Sequence, residues 1–237
     1  MGLKKIIAIG TVLLNLINPL YAKMYNPGLE TKIEKKYSVD LVGNFCQKET
    51  QKILRVMKSI DKKVDREKAG IDCFTIENVD NLAGKMMEED RKQSEKGNYV
   101  FEADITKYFE ETVDAEKKLI KIDSNAINNK INGKIDDSSL SGYEYMLAHA
   151  IGHLIYPKYS NEIFDKFWEL NVKRDVNKKS EIPDGYVTVY PIQRPFFTRA
   201  NEDFADIFSY WINNKHYADN DEIVHEKIDA VKRHTKK

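Results

Sequence analysis

Apolar residues recur at helical spacing between Lys48 and Lys63, where Ile53, Leu54, Val56, Met57 and Ile60 share a face and lysines fill the positions between them. That period predicts an amphipathic helix. Ile71-Asp72-Cys73-Phe74-Thr75-Ile76 alternates as a half-buried strand does, and Tyr99-Val100-Phe101 and Leu119-Ile120-Lys121-Ile122 read as two more strands, joined by a polar segment containing Tyr108 and Phe109. Residues 23–38 are polar and interrupted by Pro27-Gly28, which predicts a loosely held lead-in. Asn81 to Lys96 is charged, with Leu82, Met86 and Met87 as its only apolar anchors, and reads as a surface helix or loop. Asn125 to Ser139, rich in Asn, Asp, Lys and Gly, is a turn-forming connection.

The second half of the chain is dominated by helical periods. From Ser141 to Ile155 one stripe carries Tyr143, Leu147, Ile151 and Leu154, another carries His149, Ala150 and His153, and Pro157 is predicted to stop the helix. Ile163, Phe164, Phe167, Trp168 and Leu170 predict a second, packing helix. Pro183-Asp184-Gly185 signals a turn, and Tyr186 to Tyr190 a short strand ending at Pro191. A helix beginning near Asn201 has Phe204, Ile207, Phe208 and Trp211 on one side and Glu202, Asp206 and Ser209 on the other. Asp219 to Lys237 forms a last charged helix through Ile223, Val224, Ile228 and Val231. The sum is an α+β fold: an N-terminal helix and small mixed sheet, then a mainly helical C-terminal half.

With 237 residues, 41% hydrophobic and 32% charged, the chain suits one soluble domain or a tightly joined pair of subdomains. Basic and acidic residues balance at 38 each, so no field favours nucleic acid or an anionic membrane. Repeats and Gly-rich phosphate loops are absent. Residues 1–22 read as an export signal: Lys4 and Lys5, the apolar run Ile6 to Ile17, then Pro19 before Leu20-Tyr21-Ala22. The run is shorter than the roughly 20 residues of a spanning helix. The expectation is therefore a secreted mature domain, 23–237, with no stable membrane insertion after cleavage. In an oxidising compartment Cys46 and Cys73 are either a disulfide, contributing on the order of 3 kcal/mol by loop closure, or two small buried thiols.

Charge changes the picture little; the spacing of histidines and carboxylates changes it a great deal. His149 and His153 lie four residues apart, as do Glu202 and Asp206, which puts each pair on one helical face. His149 and His153 could hold one zinc ion through two imidazole nitrogens, with Glu202 as third ligand and water in the fourth position. Asp206 could accept a hydrogen bond from the non-ligating nitrogen of one histidine. Asp203 competes with Glu202, but Asp206 is only three residues on from it and no carboxylate stands four residues on to support it. Two imidazoles among Met146, Leu147, Ile151 and Leu154 would be costly without a partner.

The first run resembles the HExxH signature of zinc metallopeptidases, Gly152 matching its common His-Glu-x-Gly-His form. The second resembles the Glu-x-x-Ala-Asp/Glu helix of the gluzincin branch. A metzincin would place a third histidine six residues after His153, where this chain has Tyr159. The order of elements over about residues 40–215 is similar to the anthrax lethal-factor-like group, which includes the secreted Pro-Pro endopeptidases. That resemblance implies a zincin-like fold with a cleft between about 40–155 and 156–237, bound Zn2+, and hydrolysis of an extracellular polypeptide. It also implies a tyrosine upstream of the ligand glutamate that stabilises the oxyanion. Tyr190 is the candidate and Tyr186 the alternative, each also readable as an aromatic packed beneath the cleft.

One position departs from the signature. Where it has the general-base glutamate, this chain has Ala150. Glu144 does not replace it, lying six residues earlier and about 120° away around the helix. General acid–base help is typically worth about 10²–10⁴-fold, so hydrolysis should be feeble while metal and peptide binding survive. Three readings stand: an impaired metalloendopeptidase, a pseudopeptidase that binds a peptide or protein without cutting it, and an interaction protein with no metal. Ala150 is either an engineered knock-out or native; the retained export signal and lack of a tag favour native.

Overall fold

The computed structural model describes residues 26–96, 111–123, 142–172, 186, 196–213 and 221–236. The export signal, the Tyr99–Phe101 strand, the Asn125–Ser139 connection, the Pro183–Gly185 turn and residues 187–190 lie outside the described residues.

The chain enters in a helix, α1 (Pro27–Tyr37), in place of the loose lead-in that its polar composition predicts. Pro27 starts the helix rather than breaking it. Proline is pre-organised for the first helical position, and the Asn26 side chain caps the turn by accepting from the Leu29 amide at 3.1 Å. Ile33 and Tyr37 anchor it in the core. Strand β1 (Val39–Val42) follows, then α2 (Gln47–Lys63), which buries Ile53, Val56, Met57 and Ile60 as its period predicts.

Strand β2 is Phe74–Asn78, displaced from the expected 71–76. Arg66 explains the shift: its guanidinium donates to the carbonyls of Ile71 at 3.0 Å and Asp72 at 2.9 Å, and to that of Tyr37, so those residues are engaged before the ladder begins. Helix α3 (Leu82–Glu95) leads towards β3 (Glu111–Asp114) and β4 (Leu119–Ile122). The sheet order is β1-β2-β4-β3, parallel except for the antiparallel β3/β4 pair. Helix α2 supplies the crossover that a parallel β1/β2 pair requires. Ile76, Ile120 and Ile122 are fully buried and join Ile53, Met57, Leu147 and Ile151 in one core.

The C-terminal half comprises α4 (Gly142–Val172), α5 (Phe196–Asn213) and α6 (Glu222–Thr235). Helix α4 corrects a second expectation, because it runs on through Pro157 instead of stopping. An interior proline costs about 3 kcal/mol or more. Packing outweighs that cost: Ile163, Phe167 and Leu170, beyond the proline, are all buried. The two helices expected over 141–170 are therefore one. Pro157 has no amide hydrogen to give the carbonyl four residues earlier, which is that of His153. Among the described residues no helix is long and apolar enough to cross a membrane. Cys46 and Cys73 are free thiols, Cys73 exposed, so the disulfide alternative does not hold.

Candidate metal centre

The site begins with how closely α4 and α5 approach. At Gly152 a Cβ would lie 2.8 Å from Ala205 Cα, closer than real Cβ contacts come, and a tight 3.2 Å from Ala205 Cβ. Glycine on one helix and alanine on the other thus let the two backbones touch. The crossing lies one residue before His153 and three after Glu202, so the histidine turn and the carboxylate turn face each other. Ser209 Oγ donating to the Tyr145 carbonyl at 2.8 Å, and Asn213 Nδ2 to the Glu144 carbonyl at 3.3 Å, hold the helices in register further along.

His149, His153 and Glu202 each direct one donor atom to a common point, and the three atoms lie within 4.8 Å of one another. Glu202 Oε2 is 3.6 Å from His149 Nε2 and 3.3 Å from His153 Nε2. Ligand bonds of about 2.0–2.2 Å in a tetrahedron imply ligand–ligand edges of about 3.4 Å. Two borderline imidazole nitrogens with one carboxylate oxygen also form a donor set suited to a first-row divalent ion. Spacing and chemistry both fit, and this group could hold a metal ion.

The surrounding bonds orient the donors. His153 Nδ1 is 2.9 Å from Asn201 Oδ1. An amide oxygen only accepts, so Nδ1 carries the hydrogen and Nε2 turns its lone pair to the site. The Tyr145 hydroxyl donates to Asp206 Oδ1 at 2.6 Å, and its ring stacks near His149 one turn on. The four-residue spacing predicts Asp206 behind a ring, on a non-ligating nitrogen. Its Oδ1 instead stands 3.3 Å from His149 Nε2, on the side that faces Glu202, while Asn201 takes the supporting place at His153.

Sequence reasoning missed Asn201 and Tyr145 in these roles. Tyr145 was within reach, since it sits four residues before His149 on the same face. Asn201 was not, because its role depends on which side of α5 turns towards α4.

The competing carboxylate, Asp203, is fully buried on another side of α5. It accepts from Lys227 Nζ at 2.5 Å and Asn171 Nδ2 at 3.1 Å. Burial pushes the Asp203 carboxyl up and the Lys227 ammonium down, each opposed by the other's charge. Tyr186 is buried in this same cluster, its ring centroid 4.3 Å from Lys227 Nζ. Burial, with the Asp203 charge, pushes its hydroxyl pKa up. Tyr190 lies outside the described residues. Ala150 is fully buried in the apolar core, and Glu144 pairs with Arg55 of α2 at 2.5 Å. Neither offers a proton acceptor to the site. Comparison of the chain with protein-family models, with curated proteins and with solved structures gives no match.

Proposed function

We propose that this chain is a secreted zinc protein of the metallopeptidase type that binds an extended stretch of an extracellular polypeptide and, with Ala150 where the general base belongs, cleaves it feebly or not at all. The observation that carries the reading is the convergence of His149, His153 and Glu202 from two helices locked together at Gly152. The gluzincin-like order of these residues, histidine helix first and carboxylate helix after, supports zinc and a zincin-like fold. Strand β3 supports a peptide ligand: among the described residues it is an edge of the sheet, and it packs against α4. A free edge offers backbone donors and acceptors to an extended chain.

Zinc held by these three residues would polarise a carbonyl or a bound water. Turnover then depends on the chain's own residues. Asn201 and Tyr145 hold their partners in place, and the methyl group of Ala150 can neither take a proton from water nor pass one to a leaving amine. Binding persists where turnover does not.

Metal analysis of protein purified without added zinc tests the centre; one equivalent is expected, and none rejects the reading. Ala150→Glu then separates the two forms of the proposal. Peptidase activity rising by about 10²–10⁴-fold identifies an endopeptidase lacking only its base. Persistent inactivity with zinc bound points to a remodelled cleft, the pseudopeptidase form of the proposal.

A further inference from the structure

The residue next to the ligand carboxylate is tied to the C-terminal helix by a pair of charges sealed from water. Asp203 and Lys227 are both fully buried, 2.5 Å apart, with Asn171 of α4 donating to the same Asp203 oxygen at 3.1 Å. The Lys227 ammonium lies 4.3 Å from the Tyr186 ring centroid and 5.2 Å from that of Phe167, a cation enclosed by aromatic faces. Helices α4, α5 and α6 therefore meet at a polar knot within an apolar interior.

Such a knot is poor economy for stability alone. Taking both charges out of water costs several kcal/mol each, and well-packed apolar residues often serve as well or better. What an enclosed pair provides is geometry, since neither partner tolerates displacement in a medium that screens so little. Adjacent helical side chains are fixed about 100° apart, so whatever sets the angle of Asp203 around α5 also sets that of Glu202. A rotation of about 20° would carry a carboxylate some 5–6 Å from the helix axis through about 2 Å. Metal–ligand distances hold to about 0.2 Å. The charge pair resists such a rotation along with the packed rings of Phe204 and Phe208, and it ties α5 to α6 through a direction-specific polar contact.

We infer that Lys227, acting through Asp203, is a positioning residue of the metal centre: the C-terminal helix sets the rotation of α5 and thereby aims Glu202 at the two histidines. The inference rests on the metal reading above and goes beyond it by making α6, which supplies no ligand, part of the site.

The test uses the mature chain and zinc alone. Lys227→Met with Asp203→Leu removes both charges at similar volume, so that no buried charge is stranded. Its melting temperature should stay near the parent's, while zinc affinity, measured by chelator competition, falls about 10–100-fold, the range typical of outer-shell partners. The cobalt-substituted double variant should also lose the intense visible bands of a four-coordinate ion. Lys227→Arg keeps a buried positive charge but moves its centre onto a longer, planar head, so it displaces Asp203 without stranding a charge and provides a second case if the double variant does not fold; a several-fold weaker affinity is expected. Parent-like affinity and cobalt spectrum in whichever of these variants folds overturn the inference and leave the metal reading standing. A parent chain that binds no zinc overturns both.

Discussion

The two halves of the molecule bury polar groups for different ends. In the sheet half, buried carboxylates serve the ends of nearby elements. Glu49 accepts from the Cys46 amide at 2.6 Å at the start of α2 and from Asn78 Nδ2 at 3.2 Å, and Asp123 accepts from the Leu82 amide at 2.6 Å at the start of α3. In the helical half Asp221 caps α6 in the same way, accepting from the Ile223 amide at 3.0 Å, but Asp206, Asp203 and Ser209 bridge one long helix to another: Asp206 to Tyr145, Asp203 to Lys227 and Asn171, and Ser209 to the Tyr145 carbonyl. Polar groups of the first kind finish secondary structure. Those of the second kind fix how helices sit against each other, which is what a site assembled from two helices needs.

The contrast is most exposed at Gly152. Alanine in a helix interior is ordinarily about 1 kcal/mol better than glycine. Here its methyl would press on the Ala205 backbone, so Gly152→Ala should instead destabilise by about 1–3 kcal/mol, the usual cost of overpacking. Zinc affinity should fall more than tenfold as α4 and α5 separate. Unchanged affinity by chelator competition would show that the close approach is incidental to the site.

Glu49→Ala probes the other half. Losing the cap on the Cys46 amide and the Asn78 contact should cost about 1–2 kcal/mol in urea unfolding, with zinc affinity of the folded protein unaltered. A matching drop in affinity would dissolve the division between the halves.

The smallest effect belongs to Lys63, where the halves meet. It donates to the carbonyls of Trp211 at 2.5 Å and Ile212 at 3.1 Å, near the end of α5. Burial, helped by Lys62 and Lys232, pushes its pKa down to about 8 from 10.5. The folded protein therefore holds fewer protons than the unfolded chain between those values, so the Lys63 contribution should rise as pH climbs from about 8 to 10.5 and be lost as pH falls through 8. Partial exposure keeps the effect small. Lys63→Met should flatten the melting temperature over that interval, and an unchanged profile would remove Lys63 as its cause.

The sequence was most readable where one period ran uninterrupted. Helix α2 and strand β4 could be placed from Ile53, Val56, Met57, Ile60, Ile120 and Ile122 alone, because one face of each is apolar throughout. The four-residue spacing of His149 and His153 showed which side chains share a turn. Proline misled twice, at Pro27 and Pro157, because its cost or benefit depends on position in the helix and on packing further along. Strand β3, Glu111–Asp114, carries a single apolar residue, Val113, and depends on its pairing with β4. The Asp203–Lys227 pair was hidden for a different reason: in the sequence Lys227 is one lysine of a charged helix, and only the meeting of three helices encloses it.

Pro157 makes α4 a lever. Beyond it about 20 Å of helix separates the proline from Asn171, so a change of direction of only about 10° at the ring would swing Asn171 by roughly 4 Å, well past hydrogen-bonding range of Asp203. The imidazole turn lies before that fulcrum and Asn171 beyond it, so the buried faces of Ile163, Phe167 and Leu170 keep the two ends of the lever aligned.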